Sequence, residues 1–327
     1  DGLFLRKAEV TLIQDTFTIH DRMNQMWVQT KLCDEDDSDD ITADNNGNIY
    51  FTRAGDSVFR ITKDKPNQEP EVLFKVKFAK LQGIAWNHKD NTLYVCNWSG
   101  SSIVSYSLDS KNIQKLFEKG SGHKDGSLEE AQIKNPRGIT VDKNGDLYIA
   151  QIDYVRQISL DAKTVTTIAG AGEHQDGEGL NATLHTPFSL AVADDDTIYV
   201  AERDNHCIRH LKDGVLSTIA GTPGKEGVRD GALSKALVNS PMSIEVDIDG
   251  TVLFGDEFGL RRLNIKENRI TSETKLKNAV CGLAVCSTGE IYASCDGEIL
   301  QLINPWRWQR LLWIGNKKER PEDCLLA

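Results

Sequence analysis

The side chains that could do chemistry are scattered, and their spacing argues against most of it. Among seven cysteines, Cys281, Cys286 and Cys295 come nearest to a zinc pattern. Cys281 and Cys286 flank one predicted strand, which at about 3.3 Å per residue sets them roughly 16 Å apart on opposite faces. Zinc–thiolate bonds of about 2.3 Å do not span that gap. His206 and His210 would share a strand face about 13 Å apart, too far for one metal. Gly120-Ser121-Gly122 and Gly170-Ala171-Gly172 look like phosphate-binding turns, but they lead into Asp-Gly rather than a helix N-terminus. A Gly-x-Ser-x-Gly elbow, a Gly-Lys-Ser/Thr phosphate loop and a His-Glu-x-x-His zinc motif are all missing. What remains is acidity: 49 Asp and Glu against 38 Lys and Arg give a net charge of −11. Residues Asp34 to Asp40 hold six acids in seven positions. Without the alternation and the glycine of a calcium loop, this run reads as a solvated linker.

A repeat announces the elements that must position any site. Asp125-Gly126, Asp176-Gly177 and Asp230-Gly231 are followed, six residues after each Asp, by Ala131, Ala182 and Ala236. Eleven residues after each Asp comes Pro136, Pro187 or Pro241, and then an apolar strand at 138–141, 189–192 or 243–246. Self-similarity at a period of about 50 residues marks a unit that cannot bury its own apolar face and stacks on copies of itself. Anchored on an inner strand, a polar turn and a second apolar strand, six copies are found. They run from Ile41 to Phe51, Ile84 to Val95, Ile139 to Ile149, Leu190 to Val200, Ile244 to Phe254 and Leu283 to Ala293. Asn46-Gly47, Asn144-Gly145, Asp249-Gly250 and Thr288-Gly289 supply the positive φ of tight hairpins. Third strands follow at 58–61 and 207–211, and fourth strands at 72–74, 165–168 and 215–219. The pattern predicts an all-β fold, a six-bladed β-propeller of four-stranded antiparallel blades. The repeats fill 40–303. N-terminal strands and the acidic linker fill 1–39, and a closing strand or tail fills 304–327. Closure of the ring falls to 25–29 or to 308–314.

The stretch from Thr186-Pro187-Phe188-Ser189-Leu190-Ala191-Val192 to Asn205-His206-Cys207-Ile208-Arg209 resembles the NHL repeat, and Asn135-Pro136-Arg137-Gly138-Ile139 is nearly as close. Blades 1, 2 and 6 lack both the proline and the Asn-His pair. The likeness covers roughly 40–303 and implies a fold rather than one activity. NHL propellers bind proteins or RNA. Propeller lactonases and organophosphate hydrolases hold calcium with Glu, Asn and Asp, and NHL amidating lyases use His-bound zinc. The tail at 306–315 resembles the segment before an F-box-like or BTB-type end, which implies the recognition head of a ubiquitin-type adaptor.

Ligands of such folds sit at the mouth of the central channel. The residues opening the inner strands are Asp39, Gln82, Arg137, Phe188, Met242 and Cys281. Those ending the second strands are Arg53, Asn97, Gln151, Glu202, Asp256 and Cys295. Neither set contains a histidine, so the zinc-lyase reading loses its ligands. Asn97, Glu202 and Asp256 offer three oxygen ligands for calcium if they point inward; otherwise they cap the following turns. Gln82, Arg137, Phe188, Arg203 and Met242 read as a surface for a protein or peptide. The expected function is an interaction scaffold without catalysis or cofactor. The alternative is a calcium-dependent hydrolase or lactonase-like enzyme. RNA binding, the third reading, needs a basic patch drawn from Arg203, Arg209, Lys212, Arg261, Arg262 and Lys266. In the long loops, each Asp is expected to bond backbone N–H groups nearby while Gly takes a positive φ. Ala131, Ala182 and Ala236, with Ile133, Leu184 and Val238, pin the loops, whose face is the candidate interaction surface.

Several cysteines fall at apolar strand positions without a disulfide framework, which points to a reducing, cytoplasmic setting and leaves secretion open. The sequons at Asn97 and Asn181 add little in a chain rich in Asn, Ser and Thr. Mean hydropathy is −0.40, and no apolar run approaches the roughly 18 residues of a membrane span. The chain opens at Asp1 without a signal-like segment and reads as a processed form or a fragment. A monomer with a protein or peptide partner, and without nucleic acid or membrane, is expected.

Overall fold

Hairpin after hairpin, the alternating strands fold into six antiparallel sheets. The structure, a computed structural model, describes residues 27–304 apart from 36–37, 54, 66–68, 173 and 296. Residues 25–26 of one predicted closing strand, all of 308–314 and the adaptor-like tail lie outside these residues. Among the described residues no helix is long and apolar enough to cross a membrane.

Blade 1 consists of Ser38–Ala43, Ile49–Arg53, Ser57–Ile61 and Glu71–Lys75, from the channel outward. Blade 3 repeats it with Pro136–Val141, Leu147–Gln151, Tyr154–Ser159 and Thr164–Ala171. Blade 4 uses Pro187–Val192, Ile198–Glu202, Cys207–Lys212 and Val215–Gly221. Blade 5 uses Ser243–Val246, Val252–Asp256, Gly259–Asn264 and Arg269–Lys275. In blade 6, Val280–Val285, Ile291–Cys295 and Gly297–Ile303 are completed by the N-terminal strand Val28–Glu35, which pairs antiparallel with Gly297–Ile303. The first described strand thus joins the last blade, and Lys63 of blade 1 reaches Glu290 of blade 6 at 3.1 Å. The acidic run is no linker. It divides between Val28–Glu35 and Ser38–Ala43, separated only by residues 36–37.

Because each sheet presents both faces to neighbouring blades, the core is a series of slabs between blades. Ala85, Tyr94 and Cys96 of blade 2, which is built from Leu81–Asn87, Thr92–Asn97, Ser102–Ser107 and Ile113–Leu116, pack on Ile139, Leu147 and Ile149 of blade 3. Ile41, Ile49 and Phe51 of blade 1 pack on Ala284, Tyr292 and Ile299 of blade 6. Close to the channel the blades touch backbone to backbone. A Cβ on Gly138 would lie 2.5 Å from the Phe188 carbonyl oxygen, so only glycine fits there. Where the equivalent residue is larger, its side chain bonds the next blade instead. The Ile84 amide donates to Asp40 Oδ2 at 3.0 Å, and the Ile244 amide donates to Ser189 Oγ at 3.3 Å.

Candidate functional site

Five inner strands carry a register shift at the channel mouth, between Ser38/Ile41, Leu81/Ile84, Pro136/Ile139, Pro187/Ser189 and Val280/Gly282. A bulge bends its strand and re-aims the extra side chain. Asp39, Gln82, Arg137, Phe188 and Cys281 all fall inside these bulges. Together with Met242 and Asp40 they line one pocket, so the set expected from the inner strands is brought together with one residue from each blade. The enclosed volume is 20 Å³, room for about one water molecule. A ligand must therefore sit over the mouth rather than inside it.

Phe188 is the centre of this mouth. The Arg137 guanidinium carbon lies 5.4 Å and that of Arg203 4.9 Å from its ring centroid, within cation–π range. Arg203 is held by a bidentate pair with Asp204, at 2.7 and 3.2 Å. Arg137 Nη1 is buried and makes no hydrogen bond, and burial followed by the charge of Arg203 pushes the guanidinium pKa down. Two acids stand on the channel wall. Burial raises Asp40 to about 7, although it accepts from the Ile41 and Ile84 amides, and raises Glu245 to about 8.

The second-strand set points elsewhere. Glu202 Oε1 accepts from Arg209 Nη1 at 2.8 Å, and Asp256 Oδ2 accepts from Arg261 Nη1 at 2.9 Å. All four side chains are 0% exposed. Asn97 Oδ1 accepts from the Gly100 amide at 2.9 Å, as a turn cap. Each residue is committed within its own blade, and a calcium ion at Glu202 or Asp256 would have to displace a guanidinium. Asn97, Glu202 and Asp256 do not fit a calcium cage.

The same arginines overturn the basic patch. Arg209 and Arg261 belong to a device repeated in blades 3 to 5 in which a third-strand arginine reaches the Asp-Gly loop. Arg156 meets Asp125 at 2.5 Å, Arg209 meets Asp176 at 2.8 Å and Arg261 meets Asp230 at 2.9 Å. Each Asp also accepts from the amide of Thr167, Thr218 or Ser272, always 42 residues ahead. The expected nearby backbone partner is instead the outer strand of the blade, against which Ala131, Ala182 and Ala236 are fully buried. Arg262 is paired with Asp247 and Glu273, Lys212 with Asp195, and Arg203 with Asp204. Of the six proposed cations, only Lys266 carries no described ion pair. The arginine role was missed because burial is not written in a residue's type. The signal was there all the same, since Arg156, Arg209 and Arg261 each occupy the third position of a third strand.

His206 takes a left-handed φ of 53° and accepts from the Ser240 amide at 3.1 Å, an inter-blade staple. His174, Glu202 and Cys207 are the one grouping of metal-ligand types among the described residues. It does not fit a metal. Arg209 Nη1 lies 3.0 Å from His174 Nδ1, Asn205 Nδ2 bonds Glu202 at 2.6 Å, and burial pushes the Cys207 thiol far up.

A family model described as the NHL repeat matches residues 184–211, within blade 4 and the loop entering it. The chain is 26% identical over 149 residues to SUPPRESSOR OF QUENCHING 1 of Arabidopsis thaliana, covering 41% of this chain and 14% of that protein. It is 26% identical over 246 residues to mouse Teneurin-1, covering 65% of this chain and 9% of that protein. The chain thus spans a small part of either relative. Among solved structures, a Bacteroides thetaiotaomicron protein of unknown function aligns with a TM-score of 0.65 at 16% identity, covering 85% of this chain and 76% of that one. A gluconolactonase from Xanthomonas campestris aligns with a TM-score of 0.63 at 12% identity, covering 84% and 89%. At such identities the likeness is one of fold.

Proposed function

The chain is an NHL-repeat six-bladed β-propeller, and on that premise we propose that it is an interaction module binding a protein or peptide across the channel mouth, without catalysis of its own. One observation carries this reading. Bulged inner strands converge Gln82, Arg137 and Phe188, with Met242 beside them, on a mouth whose enclosed space is too small to hold a substrate. Arginine and aromatic side chains of this kind are the usual anchors of protein interfaces, and Arg137 holds a buried N–H without a partner. Burying that donor against a partner's carbonyl or carboxylate would supply the missing bond, which is worth more to a charged group than to a neutral one. The reading requires no metal, and it suits a cytoplasmic protein as well as a secreted one.

The test is quantitative affinity capture from the source cells with the full chain and with the Arg137→Glu/Phe188→Ala variant. At least one protein should be recovered roughly tenfold less by the variant, a loss of about 1.4 kcal/mol or more. Identical recoveries, with both proteins folded, would overturn it.

A further inference from the structure

Blades 3 to 5 show what belongs against a third strand of this propeller, and blade 1 lacks it. In those blades the entering loop lies on the third and outer strands. It places Asp125, Asp176 or Asp230 there, and it adds a short strand, such as Gly126–Ser127 paired with Thr164 and Val165. The connection entering blade 1 is residues 36–37 alone. The position of Arg156 is taken by Phe59, since Phe59 faces Phe51 and Val72 where Arg156 faces Ile149 and Thr167. Among the described residues no entering loop covers it. A groove of 510 Å³ opens instead, lined by Arg53, Asp56, Phe59, Lys75, Phe78 and Ala79.

Phe78 forms one lip and is 98% exposed, at a left-handed φ of 60°. An aromatic residue adopts that conformation only where its surroundings impose it. Here they do: the Ala79 amide donates to the Val76 carbonyl at 3.1 Å, the Lys80 amide to Ser99 Oγ at 2.8 Å, and the Leu81 amide to the Gly55 carbonyl at 2.8 Å. The loop therefore fixes the backbone from which a bare phenyl ring projects. Lys75 lines the groove and Lys77 and Lys80 flank Phe78 in sequence; among the described residues none of the three has an ion pair, although Lys80 Nζ lies 5.4 Å from the Trp98 ring centroid.

We propose that this groove docks an acidic extended segment of a partner protein, which takes the place on blade 1 that the Asp-Gly loops fill on blades 3 to 5. Its carboxylates meet the lysine rim, and one apolar side chain enters between Phe59 and Phe78, as Ala182 and Leu184 enter blade 4. Extended pairing along the edge of Glu71–Lys75 that no described strand pairs follows the strand-addition mode of peptide recognition. Single-stranded RNA fits less well, because Asp56 in the groove and Asp39 at the neighbouring mouth repel a continuous polyanion. The site shares only the protein-partner premise with the channel-mouth reading, and its test separates the two.

The probe is a fluorescein-labelled peptide copying residues 174–184, which carries Asp176-Gly177, Glu178, Ala182 and Leu184, titrated against the full chain by anisotropy. The expected result is saturable binding that weakens with salt and falls about tenfold or more in Phe78→Ala and in Lys75→Glu/Lys80→Glu, but is unchanged in Arg137→Glu. Phe78 is fully exposed, so Phe78→Ala should melt with the wild type and exclude misfolding as the cause. Absence of saturation would overturn the proposal. So would equal binding of a peptide with Lys at 176 and 178, unchanged binding by Phe78→Ala, or preferential binding of a polyuridine 12-mer. Loss in Arg137→Glu alone would transfer the site to the channel mouth.

Discussion

Replacing the aspartate of each Asp-Gly loop by alanine should cost unequal amounts, and the structure sets the order. Arg156 is 0% exposed, and Asp125 is the carboxylate it meets. Its remaining bonds go to the Gln132 and Lys124 carbonyls. Removing one partner of a buried pair costs about 3–5 kcal/mol. Asp125 is 43% exposed, so water replaces part of the lost interaction and Asp125→Ala should cost about 3 kcal/mol. Arg209 keeps Glu202 when Asp176 is removed, and Arg261 keeps Asp256 when Asp230 is removed, both acids being fully buried. Those variants lose mainly hydrogen bonds to the outer strand, about 1–2 kcal/mol. For a domain of this size the difference of about 1–2 kcal/mol amounts to roughly 2–8 °C in melting temperature. Calorimetric melts of Asp125→Ala, Asp176→Ala and Asp230→Ala, at one pH and salt concentration, read it directly. If Asp125→Ala melts together with the other two, the second carboxylate does not share the arginine's charge, and the reasoning is refuted.

Two further outcomes follow from the channel. Gly138→Ala places a methyl group against the Phe188 backbone and should cost about 1–3 kcal/mol, whereas Gly120→Ala, with open space around it, should cost only its positive φ; urea midpoints rank the two. Burial raises Glu245 to about 8 and Asp40 to about 7, above their ordinary values. The folded state therefore keeps protons that the unfolded chain has released. This contribution is fully present below about pH 4, is lost as pH rises to about 8, and is flat beyond. Glu245→Gln keeps the acceptor for the Val246 amide, so it should leave stability at pH 5 little changed, raise it at pH 8 and flatten the slope between. A parallel pH profile for variant and wild type would refute the burial effect.

Much of the fold was legible because a repeat prints its own period. The pattern of inner strand, polar turn and second strand set the number and order of the blades, and the Asp-Gly, alanine and proline spacing marked three of them. The inner-strand openings Asp39, Gln82, Arg137, Phe188, Met242 and Cys281 could be aligned by counting, and they do meet at one mouth. Counting could not say which way a second-strand end points. Asn97, Glu202 and Asp256 are equivalent in register, yet one caps a turn and two hold buried arginines. Nor could it separate Arg209 and Arg261 from surface cations, since pairing with Asp176 and Asp230 depends on loops folding back across 31 to 33 residues. Local composition and periodicity, acting through short-range sterics and apolar burial, determined the strands, the turns and the blade count. Contacts between distant segments decided which charges are neutralised, which strand closes the ring and which groove stays open. Those depend on what lies across the gap between two blades, and no residue carries that information by itself.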